Sequence, residues 1–459
     1  MLANNIVERS YRELLLPLDR LQSAPIGFLY LEKLALNCFG KGAFSLRILP
    51  YLCYLISIPA FYKLALLVSK NKSIAIFSCA LLCLNLTVLH YSNDVKQYSF
   101  DLLFGIVIFL SGIKHLQELR KQTAYSFAFV STVGVFFSNV AVVSILIINL
   151  LLFLKLIKKD KKLVLNAGWP LVCNTTFFLI YYFLFIYGHP HEDRMMRYWL
   201  RVNAFLPHDL SSTAFYIALG DKLSTNLDWV ITIFKSHVFK VGVIVVGLTI
   251  GALKNLKVLL FVLPLIVHLT LTYLGMYPFD KRLVLYLAPF TIFLFSYGLV
   301  NIIQLFEQKI GLSFIIVLVI PLVFLCAALY DKIPMRKLED IKQSMRFIDK
   351  KSKDTIQIYV YPGAISAFKF HEGEFPNLGD STNIIYGRRE WGKRELYRKD
   401  LEQLDKNVWL VFSHVHTDKS FDIANDKEFL LDIMDELGYR CIDQYFGLNN
   451  STFMYSRDK

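Results

Sequence analysis

Long apolar runs separated by short polar segments fill the chain from residue 46 to residue 330. A helix of about 17 to 25 apolar residues is long enough to cross a bilayer. Ten such runs predict a polytopic α-helical membrane protein: Leu46–Ser69, Ser73–His90, Tyr98–His115, Ala124–Ser138, Val140–Leu156, Val164–Tyr187, Phe239–Leu253, Val258–Met276, Leu283–Leu305 and Leu312–Tyr330.

The regions on either side of these runs have different patterns. Residues 1–45 read as a first loop with amphipathic helices, in which the turn Gln22–Pro25 precedes a helix predicted over Ile26–Phe39. Residues 331–459 have the composition of a water-soluble α/β domain, without a GxGxxG motif or a phosphate loop. In this domain strands are predicted at Thr355–Tyr361, Val408–His414 and Ser451–Tyr455, and helices at Ala364–Phe370, Glu390–Leu404 and Lys427–Leu437.

Composition agrees with a membrane protein, because 55% of the residues are hydrophobic and the mean hydropathy is +0.45. The charges of the loops between the spans then predict which side of the membrane each loop faces. Loops at 70–73, 114–123, 155–162, 254–257 and 307–310 hold 13 basic and 3 acidic residues, whereas the alternate loops hold 12 basic and 11 acidic. Cytoplasmic loops retain Lys and Arg, so the alternate loops and the C-terminal domain are predicted to lie outside the cytoplasm of a plasma or inner membrane.

The basic charge does not indicate nucleic-acid binding. Of the formal net charge of +13, almost nothing comes from residues 331–459, which hold 21 basic and 22 acidic residues. The excess lies in the inner loops, where it anchors topology and contacts membrane lipids. No basic face remains for a nucleic acid.

The polar segment His90–Tyr98 separates two predicted spans and is the main candidate site. Polar groups at the mouth of membrane helices are costly and tend to be functional; the alternative is an ordinary solvated loop. Asp94 and Asp101 are seven residues apart, so they share a helical face if the helix starts early. We expect them to be catalytic carboxylates, with Lys96 and Tyr98 between them as substrate-binding groups.

A second short outer turn, Tyr277–Arg282, has the sequence YPFDKR. Arg282 offers a fork of donors suited to phosphate oxygens, and Lys281 adds a cation beside it; the alternative for both is snorkelling at the interface. Carboxylates and cations at an outer mouth suit a reaction between a lipid-borne phosphate and a polar acceptor. No Cys, His or acidic cluster demands a metal, and no cofactor is expected.

Several of these segments carry a family resemblance. The segments are Pro17–Pro50, Tyr91–Asp101, Tyr198–Trp199, Tyr277–Pro289 and the VWLVFSH strand, and their order resembles bacterial members of glycosyltransferase family thirty-nine. That family includes relatives of the protein O-mannosyltransferases and of the lipid A aminoarabinose transferase, within the GT-C superfamily.

The resemblance implies a GT-C-like fold with an outer active site and a polyprenyl-phosphate sugar donor, from which the sugar passes with inversion to an acceptor that the sequence does not identify. It places Gln22 in the polar-Pro turn of the first loop, Asp94, Lys96 and Tyr98 in the second outer loop, and Arg282 after YPF. In the family an acidic pair follows a first helix, and this sequence begins just downstream of that position. We therefore expect a further helix and acidic pair upstream of residue 1.

Two other hypotheses remain open at this stage. One is a transporter or flippase of lipid-linked sugars, although such proteins tend to have repeated halves and polar residues at mid-membrane, and neither is visible here. The other is an inactive scaffold that lacks the acidic pair.

Overall fold

The computed structural model describes residues 1–20, 22–157, 159–188, 192–310, 340–351, 356–375, 378, 384–388, 394–415 and 426–457. The chain divides into two compact units, one formed by residues 4–330 with Leu2, the other by residues 331–459 with Met1 and Ala3. The predicted tenth span, Leu312–Tyr330, lies outside the described residues.

The regular elements of the first unit, as far as the structure describes it, are helices. Its helices are α1 Leu2–Glu8, α2 Ile26–Phe39, α3 Ile48–Ser69, α4 Lys72–Cys83, α5 Leu86–Tyr91, α6 Tyr98–Glu118, α7 Lys121–Phe137, α8 Ala141–Leu156, α9 Lys161–Ala167, α10 Trp169–Tyr181, α11 Glu192–Arg201, α12 Thr213–Val230, α13 His237–Lys254, α14 Leu263–Tyr273 and α15 Ala288–Ile310. Shorter 3-10 turns lie at Glu13–Leu15, Leu256–Phe261 and Lys281–Leu287, and a π-helical turn lies at Tyr182–Ile186.

Among the described residues, six helical segments are long and apolar enough to cross a membrane: Ile48–Ser69, Tyr98–Glu118, Trp169–Ile186, His237–Lys254, Leu256–Tyr273 and Lys281–Leu305. Two shorter apolar helices are α4 and α8. The expected class of polytopic α-helical membrane protein is confirmed, whereas the expected division into ten spans is not reproduced. The two spans with the largest buried share, α6 and Lys281–Leu305, form the centre of the unit.

The predicted span Ser73–His90 is wrong, because the helix breaks inside it. Helix α4 ends at Cys83, and Asn85 starts α5 by accepting a hydrogen bond from the backbone N–H of Val88 at 2.9 Å. Asparagine side chains compete with the helix for backbone groups and favour N-cap positions. The break turns the chain at the approach to the candidate site.

The predicted span Val164–Tyr187 is also divided. Helix α9 ends at Ala167, and α10 starts at Trp169 with Pro170 in its first turn. Proline is well suited to the first turn of a helix, where its missing N–H leaves no bond unmade. The apolar pattern therefore contains two helices where one was expected.

The second unit contains a five-stranded sheet. The strands are β1 Gln357–Val360, β2 Ile384–Tyr386, β3 Asn407–Ser413, β4 Arg440–Gly447 and β5 Asn450–Ser456, in the order β2-β1-β3-β5-β4. The pairs β1–β2 and β1–β3 are parallel, and β5 is antiparallel to β3 and β4.

The helices of this unit are α16 Ile341–Lys351, α17 Ile365–His371, α18 Arg394–Leu401 and α19 Asp426–Glu436. Both faces of β3 are buried in separate apolar clusters, one around Leu410 and the other around Trp409. The expected α/β domain is confirmed. The sequence missed β2, β4 and α16, and part of the helix predicted at Glu390–Leu404 lies outside the described residues.

Candidate active site

The polar segment between α5 and α6 forms a tight turn fastened by its own side chains. At the end of α5, Ser92 and Asn93 donate side-chain hydrogen bonds to the carbonyl of Leu89, at 2.7 and 3.0 Å. The backbone N–H of Lys96 then donates to the carbonyl of Asp94 at 2.7 Å. Because the carbonyls at the end of α5 are satisfied locally, the chain can reverse within six residues, and α6 begins at Tyr98.

Lys96 on this turn meets Gln22 from the first loop. Its Nζ donates to Gln22 Oε1 at 2.6 Å, and Gln22 Nε2 donates to the carbonyl of Arg20 at 3.1 Å. Burial lowers the pKa of Lys96 to about 8; the nearby Arg282 guanidinium lowers it further, and the Asp94 carboxylate opposes both. The turn, which carries Asp94 and Lys96, therefore lies close to Gln22 and Arg282.

Tyr98 lies at the base of this cluster, between the two candidate carboxylates. It is buried, its ring packs edge-to-face on Tyr91 with centroids 5.3 Å apart, and Asp94, Asp101 and Arg282 are all within electrostatic range. Helix α6 starts only at Tyr98, so Asp94 precedes the helix and the proposed shared helical face does not form.

Asp101 instead lies inside the bundle, one turn into α6. It is buried near Ser138 at the end of α7, and its Oδ1 has no hydrogen-bond partner among the described residues. Asp94 is only half-buried. The two carboxylates thus occupy different environments: Asp94 lies in the polar turn before α6, and Asp101 lies inside the bundle.

A buried histidine holds the second polar turn, Tyr277–Arg282, in place. His268 on α14 hydrogen-bonds the hydroxyl of Tyr286 through Nδ1 at 2.8 Å and the carbonyl of Pro278 through Nε2 at 3.3 Å. Lys281 follows with φ of 22°, a region that non-glycine residues rarely occupy. The exposed side chains of Lys281 and Arg282 are presented at the mouth from this constrained segment.

A cavity of about 970 Å³ adjoins the cluster. Its walls come from α11, α12, the segment between them and the turn before the Lys281–Leu287 3-10 helix. Lys281 lines it and lies 5.8 Å from the ring centroid of Trp229. Trp229 in turn stacks on Tyr91, with centroids 6.0 Å apart. Lys281 and Trp229 therefore connect the cationic cluster with the cavity.

Four polar residues within apolar surroundings were not identified from the sequence: Glu32, Lys222, Asn226 and His268. Lys222 Nζ donates to the carbonyls of Asn203 and Phe279 at 2.9 and 3.4 Å, and burial lowers its pKa against the influence of Asp280 and Asp221. Glu32 is fully buried on α2, and burial raises its pKa to about 8. A lone His or Glu in an apolar run was the only sequence signal.

Within the part of the chain that the structure describes, no group of three or more His, Cys, Asp or Glu side chains is arranged to hold a metal ion. The site as described offers carboxylates, amide groups, cations and aromatic rings.

The chain has a GT-C fold. Two solved structures share it, both of the lipid A aminoarabinose transferase ArnT from Cupriavidus metallidurans. The structure bound to undecaprenyl phosphate has a TM-score of 0.56 and the apo structure 0.55; each is 10% identical to this chain, and each comparison covers 98% of this chain and 93% of the other. The fold that the sequence resemblance implied is thereby confirmed. No family model and no curated protein matches the sequence.

Proposed function

We propose that this protein is an integral-membrane glycosyltransferase that moves a sugar from a polyprenyl-phosphate carrier to an acceptor outside the cytoplasm. The fold supports this proposal, since ArnT in the same fold was crystallised with undecaprenyl phosphate. The observation that carries it is the cluster at the mouth, where Lys96, Gln22 and Arg282 converge from three distant parts of the sequence.

The cluster has the chemistry of a phosphate site. The guanidinium of Arg282 can donate two parallel hydrogen bonds to a phosphate, and Lys96 adds a cation whose position is set by Gln22. Partial burial of Lys96 strengthens its interaction with the phosphate, because the effective dielectric constant there is lower than that of water. We assign Arg282 and Lys96 to the carrier phosphate, with Lys281 beside them, and Gln22 and Tyr98 to shaping the pocket.

The transfer is a displacement at the anomeric carbon of the sugar. The acceptor oxygen or nitrogen forms a bond to this carbon from the side opposite the phosphate, and the bond from carbon to phosphate oxygen breaks. The carrier phosphate leaves with the electron pair and is stabilised by Arg282 and Lys96. The acceptor proton passes to a carboxylate, and we assign this role to the half-buried Asp94. Asp101, which lies inside the bundle, is assigned a supporting role in the site.

The test is sugar transfer by the full chain in proteoliposomes that contain undecaprenyl-phosphate sugars and a lipid extract from the native membrane as acceptor. Asp94→Asn and Lys96→Ala should each reduce transfer by about 100-fold or more, because general-base and charge-stabilising groups contribute effects of this size. Lys159→Ala, an exposed lysine far along the chain in a predicted inner loop, is the matched control and should retain full transfer.

Equal transfer by the wild type and both site variants would remove these residues from the mechanism. Movement of an intact lipid-linked sugar across the bilayer, with no new glycosidic bond, would favour a flippase over the proposed transferase.

A further inference from the structure

One face of α12 carries a row of polar side chains along the wall of the large cavity. The row consists of Asp221, Lys222, Thr225, Asn226 and Trp229, which follow one another at intervals of one or three residues and all line the cavity. This spacing places them on a single helical face. A cavity with apolar walls and a few convergent polar groups is the usual form of a small-molecule site.

Asn226 is the informative member of this row. Its side chain is 4% exposed, and its Nδ2 has no hydrogen-bond partner among the described residues. A buried amide without a hydrogen-bond partner destabilises the structure, so such a group in the wall of a cavity indicates a ligand that completes it. The partner of an amide N–H must be an acceptor, for example the oxygen of a hydroxyl group.

Trp229, one turn further along α12, supplies an aromatic ring at the same wall. It is held by the stacked Tyr91, and Lys281 lies near its ring. Asn85 Nδ2 donates to the backbone carbonyl of Val230 at 2.7 Å and fixes the end of the helix. A fixed indole ring offers a broad apolar surface for a flat or ring-shaped ligand.

The formal charges on the cavity wall balance. Two lysines, Lys222 and Lys281, face two aspartates, Asp221 and Asp280. Lys222 is already occupied by backbone carbonyls, and both aspartates act on it. The charged side chains that line the cavity therefore sum to no net formal charge, which suits an uncharged ligand.

We propose that the Asn226 and Trp229 wall of this cavity recognises the sugar of the donor, and that this sugar is neutral and rich in hydroxyl groups. This inference rests on the proposed glycosyltransferase function. A sugar joined directly to a phosphate held at Arg282 and Lys96 would extend past Lys281 to the ring of Trp229. Asn226 would donate to a ring hydroxyl, and a neutral sugar would match a wall whose formal charges cancel.

The experiment measures binding to the full chain in detergent, using bare undecaprenyl phosphate and the same carrier bearing glucose, mannose, arabinose or 4-amino-4-deoxyarabinose. At least one neutral sugar should bind about tenfold more tightly than the bare carrier and than the amino sugar. Asn226→Leu should remove this gain while leaving bare-carrier binding intact. Asn226→Asp should shift the preference towards the amino sugar, because it adds a carboxylate.

Ser224→Ala is the matched control on α12, since Ser224 does not line the cavity and bonds its own helix at the carbonyl of Asp221. It should behave as the wild type. Carrier binding without any preference for a neutral sugar, or a preference that Asn226→Leu and Asn226→Asp leave unchanged, overturns the inference alone. Failure of the wild type to bind any of the five probes overturns the proposed function as well.

Discussion

The charge state of a single side chain, Lys96, should control how tightly the site binds the carrier phosphate. An ordinary lysine is a cation up to pH values near 10. Here burial and the Arg282 guanidinium lower the pKa of Lys96 to about 8. The charge proposed to hold the carrier phosphate is therefore present at pH 7 and is lost as pH rises through about 8.

We predict that the affinity for undecaprenyl phosphate is constant from pH 7 to pH 7.5 and weakens by up to about tenfold per pH unit above pH 8, as one ammonium group deprotonates. Lys96→Arg keeps its charge throughout this range. Its binding curve should therefore lack the alkaline decline. Dissociation constants measured from pH 7 to pH 9.5 test this, and superimposable profiles for the two proteins would contradict it.

The residues of the site divide by what the sequence can reveal about them. Asp94, Lys96 and Arg282 are charged groups in short polar segments between apolar runs, so composition alone marked them. The contact between Lys96 and Gln22 spans 74 residues, and only the family resemblance pointed to Gln22. Asn226 and Lys222 occur in α12, which was not predicted from the sequence, and nothing local indicates which of its faces borders a cavity.

At the scale of elements, helices form where local signals and packing agree. The helix predicted at Ile26–Phe39 forms over that range, since Pro25 precedes it and Gly40 ends it. The predicted span Ser73–His90 failed because hydropathy counts Asn85 as one polar residue in a long apolar run, whereas its side chain starts a new helix. Strand β4 was missed because it lies at the sheet edge, where its exposed residues dilute the apolar pattern.

Close contact between α13 and α15 depends on glycine at Gly247 and Gly298. A Cβ atom on Gly298 would lie 2.0 Å from the carbonyl oxygen of Val243, and one on Gly247 would lie 2.7 Å from that of Leu294. Small residues allow membrane helices to pack backbone against backbone. The sequence shows these glycines, but it does not show that they face each other.

We predict that Gly298→Ala destabilises the protein by about 1 to 3 kcal/mol, because the two helices must move apart to admit a methyl group. Gly242→Ala on α13, the helix that packs against Gly298, is the control, since a Cβ there meets no atom within 4 Å. Thermal unfolding in detergent should show a lower midpoint for Gly298→Ala alone. Equal midpoints would show that α13 and α15 are free to separate.

At the scale of the whole molecule, the distribution of charge sets the direction in which the site is expected to face. Five lysines lie at 155–162, beginning in the last turn of α8, and the candidate site lies in the alternate set of loops. Because cytoplasmic loops retain positive charge, we expect Lys96 and Arg282 to face outward. Cys38 and Cys441 are both exposed and lie in regions predicted to be outside.

We predict that a membrane-impermeant maleimide labels both Cys38 and Cys441 in intact spheroplasts, using variants that each retain one cysteine. Burial, together with Asp435 and Asp443, raises the pKa of the Cys441 thiol, so labelling of this residue should be slower and should accelerate with pH. A cysteine introduced by Lys159→Cys should react only after the membrane is disrupted. The reverse pattern would place the candidate site in the cytoplasm.

The short helix α5 contacts both the cavity wall on α12 and the first residue of α6. Asn85 at its start is bonded to the end of α12, and Tyr91 at its end stacks on Trp229 and packs against Tyr98. We therefore expect a molecule that displaces α12 from the cavity side to shift the turn that carries Asp94 and Lys96. Because such coupling is reciprocal, binding in the cavity should then change the affinity at the turn and vice versa, and a change in the fluorescence of Trp229 would report either event.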